Sequence, residues 1–248
     1  MMLLFDLGNS RCKWQLRDGD TVVAAGGAAY TGEGRLPDHL LAAVADLPHA
    51  PERAVACSVA TPAVLAPLEE RLRVRYGCTL EHFRTAAEGA GVRNAYAEPG
   101  NLGADRWAAL LGGHARYEGR LCIADCGTAV TLDVLEADGR HAGGVILPGL
   151  SLARRALSLG AHRLADPGDG PLPALAADTP TAIRAGTFHG LVAAIDSFKM
   201  RCDEAGGVTR GLITGGDAPT VAAALSGRWQ VDADLVFTGM AVGIESGS

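Results

Sequence analysis

The sequence predicts a mixed α/β protein made of two duplicated domains. Near the N terminus an apolar stretch ends in Asp6, and a Gly-Asn turn and a second strand-like stretch follow at once. Near the middle of the chain another apolar stretch ends in Asp125, and one spacer, a glycine and a threonine follow. Because the same order of landmarks returns about half a chain length later, the pattern indicates an internal repeat with acidic, glycine-containing hairpin tips.

A second pair of turns strengthens the repeat. Asp18-Gly19 follows the first hairpin, and Asp138-Gly139 follows the second. Strand-like segments dominate the start of each half and helix-like segments dominate its end, which is typical of a sheet flanked by helices. We therefore expect two domains, at residues 1–118 and 119–248.

Local signals place the elements of the first half. Pro48 ends a helix-patterned segment, Thr61-Pro62 has the N-cap and first-turn proline pattern of a helix start, and Gly119 closes the last helix. Gly26-Gly27 is expected to break the third strand. After the opening hairpin we expect a strand at 21–25, a helix at 36–47, a strand at 54–59, a helix from 61 to about 75, a strand at 79–83, a long loop at 88–100 and a helix at 102–117.

The second half repeats this order of elements. A turn at Pro148-Gly149 separates its strands from its helices, and a proline-rich loop follows at 166–173. We expect strands at 121–126, 128–135 and 141–146, helices at 151–159 and 179–204, a strand starting at 211, a helix at 219–225, and a strand or helix at 234–244.

Composition excludes several classes of function. The net charge is −6, and no long basic stretch occurs, so nucleic acid is not an expected partner. No uncharged apolar stretch approaches eighteen residues, so we expect no membrane span and a cytoplasmic protein. The six cysteines form no C-x-x-C pair and lie mostly in apolar runs, which is typical of reduced core residues rather than of a zinc site.

The hairpin tips are suited to phosphate. Glycine allows close backbone approach, and exposed N–H groups with small polar side chains can hold phosphate oxygens. Asp6 would then lie where a phosphate-bound divalent cation needs an oxygen ligand. Taken alone, Asp6 could equally well do no more than end a hairpin, because Gly-Asn is ordinary turn chemistry. The matching Asp125 favours the phosphate interpretation.

Four motifs in register resemble one family. The motifs are Asp6-Leu7-Gly8-Asn9-Ser10 with Lys13, Gly103-Ala104-Asp105-Arg106, Asp125-Cys126-Gly127-Thr128-Ala129-Val130-Thr131, and the glycine-rich segment 143–149. Together they resemble type III pantothenate kinase, of the acetate and sugar kinase, Hsc70 and actin superfamily. The resemblance implies two ribonuclease H-like domains with the active site in the cleft between them. It also implies ATP-dependent phosphorylation of pantothenate to 4'-phosphopantothenate, the first step of coenzyme A biosynthesis, by a homodimer that uses segment 143–149 as an interface.

The same resemblance implies nucleotide and cation contacts. Asp6 would lie near the Mg²⁺ of ATP, Thr128 would contact ATP, and Asp125 would bind a monovalent cation, K⁺ or NH₄⁺. Ser10 stands where the family more often has threonine, and it keeps the hydroxyl. Residues 214–216 resemble the turn on the adenosine side. The first phosphate loop would comprise Asp6, Leu7, Gly8, Asn9, Ser10, Arg11, Cys12 and Lys13.

Substrate contacts are implied in the same way. Asp105 would be the proton acceptor, and Gly103, Ala104, Asp105 and Arg106 would line the pantothenate pocket. Tyr96 and Thr179 match further substrate contacts. From the residues alone, Asp105 and Thr179 could be helix N-caps, Tyr96 could be a loop aromatic folded onto the core, and Thr181 competes with Thr179.

Two other functions remain open at this level. One is a kinase of the same superfamily that acts on another small hydroxy acid or sugar, because nucleotide loops do not specify the acceptor. The other is a non-catalytic regulatory relative. The pair Asp105-Arg106 speaks against the second, since a pure binding protein needs no base. Of the side chains not assigned to the site, Trp107, His189 and Met200 are expected to face the core.

Overall fold

A computed structural model describes residues 1–30, 35–58, 62–160 and 167–247. The strands are β1 (Met2–Leu7), β2 (Arg11–Asp18), β3 (Thr21–Ala29), β4 (Arg53–Ser58), β5 (Leu80–His82), β6 (Glu88–Gly89), β7 (Val92–Arg93), β8 (Leu121–Cys126), β9 (Ala129–Leu135), β10 (His141–Pro148), β11 (Arg210–Thr214) and β12 (Trp229–Val231). The helices are α1 (Asp38–Ala45), α2 (Pro62–Tyr76), α3 (Ala104–Arg116), α4 (Leu150–Gly160), α5 (Thr179–Gly206), α6 (Ala218–Ala222) and α7 (Leu235–Glu245).

The chain forms two compact units. The first contains Met1–Arg116 and Asp234–Ser248, and the second contains Tyr117–Ala233. The expected boundary near 118 lies close to the point where the chain passes from the first unit to the second, between Arg116 and Tyr117. The structure differs from the expectation at the C terminus, where α7 belongs to the first unit. The physical reason is a close packing of α7 on α3, in which any Cβ on Gly239 would overlap the carbonyl of Ala108.

Both units contain a five-stranded sheet of the same topology. The strand order is β3-β2-β1-β4-β5 in the first unit and β10-β9-β8-β11-β12 in the second. In each sheet the first three strands in sequence pair antiparallel, and the last two join in parallel. The predicted α/β fold class and the duplication are therefore confirmed.

The repeat extends to single positions. Asp6 is the fifth residue of β1 and pairs with Lys13 on β2. Asp125 is the fifth residue of β8 and pairs with Thr131 on β9. The two aspartates therefore occupy equivalent places in their sheets, one residue before the end of the first strand.

The core of the first unit follows the alternation of its strands. Leu3, Phe5 and Leu7 are buried on one face of β1, against the helices α1 and α2. Leu4, on the opposite face, is also buried, because α7 packs against β1. Burial of both faces explains why β1 reads as a continuous apolar run rather than an alternating one.

The second unit has a corresponding core between its sheet and α5. Phe188, Leu191 and Ile195 lie on one face of this long helix and pack with buried residues of β8, β9 and β11. Asp178 caps the helix by accepting a hydrogen bond of 2.9 Å from the Thr181 amide. Capping satisfies one of the amides that a helix start leaves unpaired.

Glycine did not break β3 as expected. The strand runs from Thr21 to Ala29, through Gly26 and Gly27. A Cβ on Gly26 would lie 2.8 Å from the indole nitrogen of Trp14 on the neighbouring strand. Gly26 therefore makes room for a cross-strand side chain, and Gly27 makes room for the Cys12 carbonyl. The strand continues through both glycines, and the predicted strand end at 25 is wrong.

Two further elements differ from expectation, and a third, which the sequence left open, is now assigned. The predicted long loop at 88–100 contains a hairpin of β6 and β7, turned by Ala90 and Gly91, both with positive φ. The short strand β12 was not predicted. The C-terminal segment, which the sequence left open as strand or helix, is the helix α7.

Of the three side chains expected to face the core, one is buried and two are exposed. Trp107 is fully buried, whereas His189 is exposed and Met200 is 54% exposed, so the prediction is wrong for these two. The six cysteines all lie in the described ranges and form no disulfide, and Cys202 is the one among them that is not buried. Thr61, the expected N-cap of α2, lies outside the described residues. Within the described ranges, no helix combines the length and the apolar character needed to cross a bilayer.

Candidate active site

The first hairpin concentrates charge at the tip of β1. The Gly8 amide donates to the Arg11 carbonyl at 3.1 Å, which closes the turn between β1 and β2. Burial raises the pKa of Asp6 to about 6, Lys13 on the paired strand opposes this rise, and Asp105 adds to it. Asp6 and Asp105 are therefore near enough to repel each other, although about a hundred residues separate them in the sequence.

Asp105 lies in the first turn of α3 and is not its N-cap. Gly103 occupies that place, since its carbonyl accepts from the Trp107 amide. The Oδ1 atom of Asp105 accepts a 2.8 Å hydrogen bond from the Arg106 amide. A Cβ on Gly103 would lie 2.6 Å from the same Oδ1, so glycine leaves the room that this carboxylate orientation needs.

Arg106 joins the start of α3 to the preceding loop. Its Nη1 donates to the Tyr96 hydroxyl at 2.9 Å, and its guanidinium carbon lies 5.7 Å from the centre of the Tyr96 ring. Asn94 fixes the loop from the other side by accepting from the Tyr96 amide at 3.0 Å. Tyr96 is therefore tied to the Asp105 helix, and Arg106, only 4% exposed, is held in place by this contact.

The second hairpin is packed against two other segments of its own unit. The Gly127 amide donates to the Ala129 carbonyl, and the Gly149 amide donates to the Thr128 carbonyl at 3.0 Å. Any Cβ on Gly149 would overlap the Gly127 carbonyl. Segment 143–149, expected from resemblance to be an interface, therefore also supports the turn that carries Thr128.

Asp125 lies beside the turn that follows β11. A Cβ on Gly215, whose φ is +96°, would lie 2.6 Å from Oδ1 of Asp125. The Asp217 amide donates to the Cys126 carbonyl at 3.0 Å. The turn at 214–217 and the second hairpin thus form one backbone surface, in which glycine permits the close approach.

Asp6 and Asp125 could each supply one oxygen ligand to a cation whose other ligands are oxygens of the bound substrate and of the backbone. Within the described part of the chain, no three His, Cys, Asp or Glu side chains converge as a metal-binding group. Asp6 nevertheless fits a divalent cation, since its raised pKa reflects a buried negative charge that Lys13 compensates only in part. Oδ1 of Asp125 lies beside the backbone at Gly127 and Gly215, and a carboxylate oxygen at such a turn suits a hard cation.

The structure distinguishes Thr179 from Thr181. The Thr181 hydroxyl accepts from Arg184 Nη2 at 2.7 Å, and the Thr181 amide donates to Asp178. Thr179 instead lines an open pocket of about 740 Å³ between α4 and the start of α5. Thr179 therefore lines this pocket, whereas the Thr181 hydroxyl and amide are engaged in hydrogen bonds at the start of α5.

Within the first unit the fold thus brings together the predicted Asp6, Lys13, Asp105, Arg106 and Tyr96. Within the second it places Asp125 and Thr128 on one hairpin, whereas Thr179 lies at the start of α5. Two charged neighbours of the second hairpin, Asp217 and Arg154, were missed. Asp217 directly follows the recognised 214–216 turn, which was a usable signal, but nothing in the local sequence distinguishes Arg154 from other helix-surface arginines.

The repeated sheets and the paired acidic hairpins define a protein of duplicated α/β fold. Solved structures of the same fold include the ethanolamine utilization protein EutJ from Carboxydothermus hydrogenoformans, with a TM-score of 0.54 and 13% identity over 97% of this chain and 89% of that chain. The activator of the 2-hydroxyisocaproyl-CoA dehydratase from Clostridium difficile, with bound ADPNP, has a TM-score of 0.51 and 12% identity over 99% and 93%.

Residues 2–201 match the family model of type III pantothenate kinase. The chain is 37% identical to the type III pantothenate kinase of Nitrosococcus oceani, over 97% of this chain and 92% of that protein. It is 40% identical to the one from Halorhodospira halophila, over 97% and 96%. The chain belongs to the type III pantothenate kinase family.

Proposed function

We propose that this protein transfers the γ-phosphoryl group of ATP to the hydroxyl of pantothenate. The product is 4'-phosphopantothenate, and the reaction is the first step of coenzyme A biosynthesis. Family membership supports this function. The structural observation that supports it is the electrostatic effect of Asp105 on Asp6, which puts a carboxylate that could serve as a base within charge range of the first hairpin.

Asp105 acts as the proton acceptor. Its Oδ1 is engaged by the Arg106 amide, and Oδ2 is the atom we assign to the substrate hydroxyl. Phosphoryl transfer passes through a loose transition state, so alignment of the hydroxyl and neutralisation of the phosphates dominate catalysis. A carboxylate is a weak base toward an alcohol, and it therefore accepts the proton as transfer proceeds rather than beforehand.

Substrate binding involves the start of α3 and its attached loop. Gly103, Ala104 and Arg106 line the pantothenate pocket with Tyr96, and Thr179 is a further substrate contact. Because the Tyr96 hydroxyl accepts from Arg106, the two side chains form a preorganised wall. Such preorganisation lowers the entropic cost of binding a flexible substrate.

Phosphates are held by the first loop, from Asp6 to Lys13, and by Thr128. Asp6 would hold Mg²⁺ and Asp125 a monovalent cation, K⁺ or NH₄⁺. Both ions supply positive charge that an acidic protein otherwise lacks. Ile146 is apolar and exposed, and it lies on β10, the edge strand of its sheet, which supports homodimerisation through segment 143–149. We also place the enzyme in the cytoplasm.

The deciding experiment is an assay of purified protein with ATP, Mg²⁺, K⁺ and pantothenate. We expect equimolar ADP and phosphopantothenate, quantified by coupled ADP detection and mass spectrometry. A panel of other hydroxy acids and sugars is the control for acceptor identity, and exchange of K⁺ for Na⁺ should lower the rate. Faster turnover of another acceptor would replace pantothenate, and nucleotide binding without turnover of any acceptor would contradict a kinase.

A further inference from the structure

Arg154 lies beside the second phosphate hairpin. The helix α4 starts at Leu150, directly after Gly149, whose amide is bonded to the Thr128 carbonyl. Arg154 follows about one turn into this helix, and its side chain is only 13% exposed. A guanidinium with so little access to water needs hydrogen-bond acceptors in the protein or in a ligand.

Among the described residues, the partners of the Arg154 guanidinium are few and distant. Nη1 lies 3.4 Å from the Gly168 carbonyl and 3.7 Å from Oδ1 of Asp169, both at the outer limit for such contacts. Asp169 is fully solvated, so this ion pair is weak. The Nε atom is buried, and no acceptor among the described residues lies within hydrogen-bonding distance of it.

The charges around Arg154 are mostly negative. Burial raises the pKa of Asp217, and Arg154 opposes this rise while Asp169 adds to it, which places the guanidinium close to the Asp217 carboxylate. The Asp217 amide in turn holds the Cys126 carbonyl of the hairpin. A polyphosphate arriving at this hairpin would face Asp125 and Asp217, and it needs a cation there.

We propose that Arg154 is a nucleotide-binding residue whose guanidinium donates to phosphate oxygens of ATP at the second hairpin. The inference rests on the proposed kinase function and adds a residue to it. Arginine suits this position because its planar fork binds phosphate with two parallel hydrogen bonds and stays charged when desolvated. The loosely held Nη1 and the buried Nε supply donors for that purpose.

The test is equilibrium nucleotide binding by the Arg154→Gln variant of the full-length protein. Glutamine retains the polar character and removes the charge. We expect ADP and ATP to bind about 10-fold to 100-fold more weakly, as for the loss of charge-assisted hydrogen bonds, with adenosine binding unchanged. Arg155→Gln, one residue further along the same helix and exposed, is the matched control and should stay within about twofold of wild type for all three ligands.

If Arg154→Gln weakens adenosine and ADP binding equally, Arg154 stabilises the 214–217 turn and does not bind phosphate. If ADP binding is unchanged, Arg154 is not part of the nucleotide site. Should Arg154→Gln not fold, Arg154→Lys decides by the same ADP-to-adenosine comparison, since it keeps the charge and loses the fork. The two proposals can fail separately. If the wild-type protein phosphorylates no pantothenate but its ADP binding still depends on Arg154, the kinase proposal is refuted and the nucleotide-binding role of Arg154 stands.

Discussion

At the scale of single residues, the role proposed for Asp6 requires an ionised carboxylate, and this charge lowers the stability of the folded protein. Its pKa is raised to about 6 in the folded protein, so the folded state binds a proton more tightly than the unfolded state between pH values of about 4 and 6. The contribution of Asp6 to the free energy of unfolding therefore falls as pH rises through this window. Above pH 6 the full cost of a buried carboxylate is present.

We expect Asp6→Asn to be more stable than wild type at pH 7.5, by about 1–3 kcal/mol, and to lose kinase activity. The gain should shrink toward pH 4, where the folded wild-type carboxyl is protonated and the unfolded one is about half protonated. Urea unfolding at both pH values measures the difference in free energy of unfolding between the variant and wild type. Asp18→Asn, at an exposed position, is the control. A loss of stability at pH 7.5 would show that Asp6 is fully compensated in the free protein.

Asp105 is a testable base because its fold contribution is small. It is not the N-cap of α3, and its Oδ1 accepts a hydrogen bond from the adjacent Arg106 amide. Asp105→Asn should therefore keep the thermal midpoint within a few degrees and lose at least about 100-fold in kcat, the usual scale of general-base catalysis. Asp38→Asn, which removes a carboxylate from the first turn of α1, is the control. Turnover by Asp105→Asn within tenfold of wild type would exclude the assigned role.

At the scale of elements, the contact between α3 and α7 decides how the helix that carries the proposed base Asp105 is held. Gly112 and Gly239 let the two backbones touch, and a Cβ at either position would overlap the facing backbone. Backbone atoms cannot rotate away as a side chain can. The position of Asp105 at the start of α3 therefore depends on a C-terminal helix about 130 residues further along the chain.

We expect Gly239→Ala to lower the free energy of unfolding by about 1–3 kcal/mol or more, the scale of overpacking, and to reduce activity with it. Gly190→Ala is the matched control, since Gly190 lies within α5 and has open space around its Cα. That change should raise stability by roughly 0.5–1 kcal/mol, the helix-propensity difference between the two residues. Chemical denaturation measures both variants, and equal stabilities would contradict the close backbone contact.

At the scale of the whole molecule, homodimerisation is the open proposal. The edge strand β10 exposes 62% of Ile146, and an unpaired apolar edge favours association. We expect Ile146→Asp to shift the protein from dimer to monomer in light scattering coupled to size exclusion. Val74→Asp, at a 68% exposed apolar position on α2, should leave the dimer intact. A monomeric wild type would refute the interface.

The sequence alone carried much of the fold because the main elements are encoded locally. The apolar runs of β1 and β8 and the turns after them are readable from neighbouring residues, and the repeat of Asp6 at Asp125 disclosed the duplicated topology. Gly26 shows where this reading fails. Its partner, Trp14, lies on another strand, so a glycine that fits a side chain looked like a strand breaker.

The sequence by itself determined the α/β class, the duplication, the family and most candidate site residues. Only the tertiary structure decided that α7 joins the first unit, that Thr179 rather than Thr181 faces the pocket, and that Arg154 lies at the second hairpin. The reason is physical: strands, turns and motifs depend on residues adjacent in the chain, whereas burial, charge proximity and backbone contact depend on segments that meet only after folding.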